Sequence, residues 1–142
     1  MSAPTPPSSS KSVVLVDDEI SYIDLLEQLL REHLACPVHS FTKPTEALRA
    51  LPGLNAGLIV TDFQMPGLNG LDFIFEAQKI VPSVPVIMIT AYNLKFTKDE
   101  LKRVPSLRTV VVKPFKWTTL AEQISRFWPP PTPPPFPSGG AL

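Results

Sequence analysis

The chain has 142 residues, the size of one ordinary domain. Thirteen Lys and Arg balance thirteen Asp and Glu, so it lacks the basic excess of a dedicated nucleic-acid binder. A hydrophobic content of 44% excludes wholesale disorder, and a single cysteine, Cys36, excludes a disulfide framework or a Cys-based zinc site.

No apolar run approaches the ~20 residues of a membrane span. Residues 1–10 have neither the basic start nor the apolar stretch of a secretory signal, so a cytoplasmic protein without membrane contact is expected. Of 18 prolines, three lie in residues 1–10 and seven in residues 129–137. The expected organisation is a disordered arm over 1–11, a domain over 12–128, and a Pro-rich disordered tail over 129–142. The tail composition favours polyproline II, as a linker or as a docking peptide.

Within the domain, apolar runs alternate with helical patterns. Residues 12–17 (SVVLVD) read as a buried strand, and 20–34 as a helix with Ile23, Leu26, Leu30 and Leu34 on one face. Residues 37–41 read as a second strand and 43–51 as a short helix stopped by Pro52-Gly53. Residues 58–62 (LIVTD) form a third strand, followed by the turn-rich loop QMPGLNG over 64–70. A helix follows over 71–81, with Leu71, Ile74, Phe75 and Gln78 on one side. Residues 85–90 (PVIMIT) form a fourth strand, and 96–104 a charged helix. Residues 107–112 form a fifth strand, and 118–128 a last helix. That helix places Leu120, Ile124 and Phe127 toward the core, with a Thr119–Glu122 capping box. Five strand–helix repeats with continuously apolar strands imply a parallel sheet covered on both faces. The fold class is therefore α/β and doubly wound, Rossmann-like or flavodoxin-like, with its ligand crevice at the carboxyl ends of the strands.

That edge collects the chemistry. Asp17 and Asp18 follow strand one, Asp62 ends strand three, Thr90 ends strand four and Lys113 follows strand five. Three crowded carboxylates stay ionised only around a cation. Oxygen donors without His or Cys imply a hard divalent ion, with Mg²⁺ first. With a fixed Lys, the set suits phosphoryl transfer to a carboxylate. The glycine-rich cradles of nucleotide and dinucleotide binders are absent. His33 and His39 read as surface or satisfied histidines, and Cys36 as a packing residue.

The pieces VLVDDE (14–19), DFQMPGLNG (62–70), Thr90-Ala91 and VVVKPF (110–115) resemble the response-regulator receiver domain, the CheY-like family of two-component signalling. The resemblance implies a flavodoxin-like sheet in the order 2-1-3-4-5. It makes Asp62 the phosphoacceptor. Asp17, Asp18, Asp62 and the Gln64 backbone carbonyl become Mg²⁺ ligands, Thr90 and Lys113 contact the phosphoryl group, and a cis Lys113–Pro114 bond is expected. One position departs from the pattern: Val110 stands where the family often carries a switching aromatic. Tyr92 is expected to shield the phosphoryl group from water.

The implied donor is a histidine kinase or phosphotransfer protein. The implied output is a phosphorylation-dependent change in protein contacts, as a monomer or a phosphorylation-dependent dimer, without direct DNA binding. Residues 95–128 carry eight basic and three acidic residues, so an output surface is expected there. Lys95, Lys98 and Lys102 are expected to share a helix face beside Arg103. The chain reads as a signalling domain whose only catalysis is its own phosphotransfer and dephosphorylation. Three rivals stand beside this reading. One is the receiver part of a longer regulator, and another is a phosphorylation-independent pseudo-receiver. The third is an aspartyl-phosphate phosphatase, which would need a carboxylate where Gln64 stands.

Overall fold

The computed structural model describes residues 11–91 and 95–129. Of the arms expected over 1–11 and 129–142, all but residues 11 and 129 lie outside the described residues, as does Tyr92 with its expected shielding role.

Five strands, β1 (Ser12–Val16), β2 (Val38–Phe41), β3 (Ala56–Asp62), β4 (Val86–Thr90) and β5 (Leu107–Val112), form one parallel sheet in the order β2-β1-β3-β4-β5. Five helices connect and follow them: α1 (Ile20–Leu34), α2 (Pro44–Ala50), α3 (Gly70–Ile80), α4 (Lys98–Lys102) and α5 (Trp117–Phe127). This is the flavodoxin-like arrangement, and the strand order reverses between β1 and β3.

The three central strands β1, β3 and β4 are buried along their whole length. Alternate side chains feed two cores. Val13, Leu15, Val60, Ile87 and Ile89 pack with Ile23, Leu26 and Leu30 of α1 and Leu120 and Ile124 of α5. Val14, Val16, Ile59, Val86 and Met88 pack with Phe73, Ile74 and Ala77 of α3. Each such aliphatic side chain contributes about 1.5–3 kcal/mol by leaving water. The outer strands depart from the expected two-sided burial. Only Val38 of β2 and Val111 of β5 are buried, because an edge strand has one neighbour and its helices overhang it incompletely.

Three helices differ from expectation. The buried stripe of α3 is Gly70, Phe73, Ile74 and Ala77. Leu71 and Phe75 are only half-buried on its flank, so the apolar face is rotated from the one read off the sequence. Helix α4 spans five residues rather than nine, with Lys95 outside it, so the expected three-lysine helix face does not form. Arg103 caps its end, with its guanidinium 4.4 Å from the Phe75 ring centroid and its carbonyl accepting from Gln78 Nε2.

The capping box is also displaced. It sits on α4, where Thr97 Oγ1 accepts from the Glu100 N–H (3.0 Å) and the Thr97 N–H donates to Glu100 Oε1 (2.8 Å). Helix α5 starts earlier than expected, behind Lys116, with no side-chain cap. Thr97→Ala is therefore expected to cost about 1 kcal/mol, and Thr119→Ala to leave stability within about 0.5 kcal/mol of wild type. Urea midpoints of the two variants check this, and equal losses would contradict it.

Candidate functional site

Register builds the site. Val16 of β1 pairs with Thr61 of β3, so Asp17 and Asp62 leave the sheet side by side. Asp62 pairs with Ile89, which sets Thr90 one residue further along β4. Thr90 pairs with Val112, and the Lys113 N–H donates to the Thr90 carbonyl at 2.7 Å. Four adjacent strands thus present their ends at one edge, beside the topological switch point where α/β sheets bind ligands.

Carboxylate oxygens of Asp17, Asp18 and Asp62 lie within 4.8 Å of one another. Asp17 and Asp62 are buried and Asp18 is exposed, so the cluster has a closed floor and one open side. Lys113 Nζ stands 3.5 Å from Asp62 Oδ2 and 3.6 Å from both Asp17 Oδ2 and Glu19 Oε1. Asp17 Oδ1 accepts from the Glu19 N–H at 3.0 Å. Gln64 lines a cavity of about 400 Å³ together with Asp18, Phe63, Met65, Pro66 and Asn69. Thr90 is fully buried at the end of β4, next to the exposed Ala91. Lys113–Pro114 is cis.

Electrostatics here is strained. Burial pushes the Asp62 carboxyl above the ordinary 3.8, opposed by Lys113 and the Phe63 backbone, with Asp18 adding to the rise. Burial likewise raises Asp17, opposed by the Glu19 backbone and Lys113 and reinforced by Asp62 and Asp18. Burial pulls the Lys113 ammonium down, yet Asp17, Asp62 and Glu19 outweigh it and hold the group above its usual value. Burial, together with the negative charge of Asp17, Glu19 and Asp62, pushes the Tyr22 phenol up to about 12.

A divalent cation fits this donor set. Asp17 Oδ2 is buried and accepts no hydrogen bond, and its ammonium neighbour stays at 3.6 Å. One Lys against three clustered acids leaves charge to be neutralised, and the donors are all oxygen, as hard cations require. No other group of three or more potential metal ligands occurs among the described residues. His33 instead meets the Trp117 ring edge-on, with centroids 5.4 Å apart.

The model for the response regulator receiver domain matches residues 13–125. The chain belongs to this family. Over 126 residues it is 28% identical to the chemotaxis protein CheY-3 of Vibrio cholerae, covering 85% of this chain and 94% of that protein. It is 34% identical over 86 residues to the C4-dicarboxylate transport transcriptional regulatory protein DctD of Rhizobium meliloti. That match takes in 61% of this chain but only 18% of DctD. Among solved structures, CheY4 of Vibrio cholerae superposes with a TM-score of 0.74 at 25% identity, covering 83% of this chain and 98% of that one. The response regulator TrrA of Thermotoga maritima, solved in complex with Mg²⁺-BeF, superposes with a TM-score of 0.70 at 28% identity. That match covers 82% of this chain and 98% of TrrA. Receiver domains are signalling domains rather than classical enzymes. No helix among the described residues is long and apolar enough to cross a membrane.

Three residues beside the receiver site take no role from the sequence alone: Glu19, Tyr22 and Phe115. Glu19 and Phe115 stand inside the pieces VLVDDE and VVVKPF. Tyr22 follows Glu19, the N-cap of α1, by three positions, and that spacing was the available signal. The pairing of Tyr22 with Phe115 joins residues distant in sequence.

Proposed function

We propose that the chain is a phosphorylation-activated receiver spanning residues 12–128, in which Asp62 accepts a phosphoryl group from a histidine kinase or phosphotransfer protein. The observation that carries this reading is Lys113 Nζ 3.5 Å from Asp62, with two further carboxylates within 4.8 Å at the switch point. Asp17, Asp18, Asp62 and the Gln64 carbonyl would hold Mg²⁺. When bound, the ion supplies positive charge against the phosphoryl oxygens.

The protein's own groups do the rest. An Asp62 carboxylate oxygen attacks phosphorus as the bond to the donor's leaving group breaks, and the electron pair departs with that group. Lys113 presents a fixed cation where negative charge gathers, which stabilises the transfer without reorganisation. The Thr90 hydroxyl donates to the phosphoryl group and carries news of it into β4. The acyl phosphate product is lost by water attack at phosphorus, so activity is self-limiting. The phosphorylated state shifts a pre-existing equilibrium toward a form with different affinity for a downstream protein. The exposed basic residues Lys95, Lys98 and Lys102 suit an acidic partner. The setting is the cytoplasm, where such donors work.

The test is incubation with acetyl phosphate and Mg²⁺, read by intact mass. One added phosphoryl group is expected, and chelation should abolish it. No adduct, and no response to beryllofluoride, would overturn the reading in favour of a phosphorylation-independent interaction module. Longer relatives such as DctD support a second role for the same chemistry, as the receiver part of a larger regulator.

A further inference from the structure

Lys113 has three carboxylate neighbours at almost one distance: Asp62 at 3.5 Å, Asp17 at 3.6 Å and Glu19 at 3.6 Å. Ion pairing alone therefore does not select Asp62. Lysine is a poor choice for fixed geometry, being a compact, strongly hydrated charge on a flexible four-carbon stem. Glu19 is 66% exposed, so its pull draws the ammonium toward solvent and away from the pocket floor. Its hydrogen bond to Asp62 Oδ2 spans 3.5 Å and is weak at that length, so a further hold on the side chain counts.

The ring of Tyr22 supplies it. Lys113 Nζ lies 5.4 Å from its centroid, within cation–π range. The ring is itself fixed edge-on against Phe115, with centroids 6.2 Å apart and planes at 84°. Lys113 and Phe115 belong to the same short loop after β5, so this loop grips one α1 side chain at two points. Glu19, Tyr22, Ala91, Lys113, Pro114 and Phe115 surround a cavity of about 470 Å³, space into which an unheld lysine would swing.

We infer that Tyr22 is a positioning residue for Lys113, its ring acting as a platform that keeps the ammonium beside Asp62. The inference rests on Asp62 being the phosphoacceptor. A misplaced cation stabilises the transfer poorly, so the ring acts on rate rather than on folding. The phenol oxygen is not needed, since the ring face makes the contact.

Two measurements test it. In the wild type the Lys113 ε-methylene proton resonances should be shifted upfield by the ring current. Tyr22→Phe should keep that shift and Tyr22→Leu should lose it. Absence of the shift in the wild type would overturn the inference whatever the chemistry. With acetyl phosphate and Mg²⁺, Tyr22→Phe should retain the labelling rate within about twofold, whereas Tyr22→Leu should lose roughly tenfold. In a Lys113→Ala background the Leu change should cost nothing further, which a merely structural role would not predict. An equal loss in both backgrounds, or no loss in either, would overturn it. A wild type that shows the ring-current shift yet takes no phosphoryl group would instead sink the phosphoacceptor reading.

Discussion

Asp62→Asn is expected to abolish phosphoryl uptake and, in the absence of divalent cation, to raise the melting temperature. The first effect follows from chemistry: an amide oxygen is no nucleophile toward phosphorus, and Asp17 and Asp18 are not at the end of β3 to replace it. The second follows chiefly from burial. Asp62 is buried, which disfavours its charged form, and Asp18 adds a smaller push, so its carboxyl lies above the ordinary 3.8 despite Lys113. An acid whose folded-state value lies above its unfolded one opposes folding wherever it is ionised in both states. That penalty is fully present at pH above the raised value. It fades as pH falls through the raised value toward 3.8, where the unfolded chain also becomes protonated. The advantage of the Asn variant should follow the same course, on the order of 1 kcal/mol and roughly 4 °C at pH 7, vanishing near pH 4. Lys113 keeps Asp17 and Glu19 as partners, which limits what the substitution gives up. Millimolar Mg²⁺ should close or reverse the gap, because the wild-type fold gains by binding the ion and the variant has lost a ligand. Intact mass and calorimetry across pH, with and without Mg²⁺, read all of this. A variant less stable than wild type in chelator at neutral pH would refute this account of a buried carboxylate.

The acids and the lysine of this site were visible in the sequence for a physical reason. Central parallel strands are apolar throughout, so the first charged residue after each run marks where the strand leaves the core. Asp17 and Asp62 stand at those points, Lys113 follows the Val110–Val112 run of the outer strand β5, and a shared sheet then brings them together. The same rule places β1 and β4 to within a residue, and β2, expected over 37–41, forms over Val38–Phe41 although its run is short and half-exposed. Helix α4 was overread because Lys95, Lys98 and Lys102 keep helical spacing while lacking an apolar face that would hold a longer helix down. On α3 the spacing favours Leu71 and Phe75 beside Ile74, whereas Phe73, Ile74 and Ala77 are the residues buried. The clasp of Tyr22 by Lys113 and Phe115 joins α1 to the loop after β5, and single-sequence periodicity carries no such pairing.

Gly70 offers the other large effect, and its sign is diagnostic. As the first residue of a helix it should, by propensity alone, gain from replacement with alanine by up to about 1 kcal/mol. Its surroundings argue the opposite. A Cβ at this position would lie 2.8 Å from the Asp62 carbonyl oxygen, 2.8 Å from Phe63 Cα and 2.9 Å from Met88 Sδ. Methionine can move aside, but the two backbone atoms belong to the end of β3 that carries Asp62, the proposed phosphoacceptor. The Gly70 N–H also donates to the Phe63 carbonyl at 2.7 Å, so the helix cannot retreat without breaking that bond. Overpacking against backbone costs about 1–3 kcal/mol. Gly70→Ala should therefore destabilise the fold by about 2 kcal/mol and slow phosphoryl uptake by shifting Asp62. Gly53 supplies the control, because a Cβ there meets nothing within 4 Å. Gly53→Ala should leave stability unchanged or raise it by up to about 1 kcal/mol through the lost freedom of the unfolded chain. Urea denaturation of the two variants side by side decides the matter. If Gly70→Ala proves as benign as Gly53→Ala, the close approach of α3 to the end of β3 does not hold Asp62 in place.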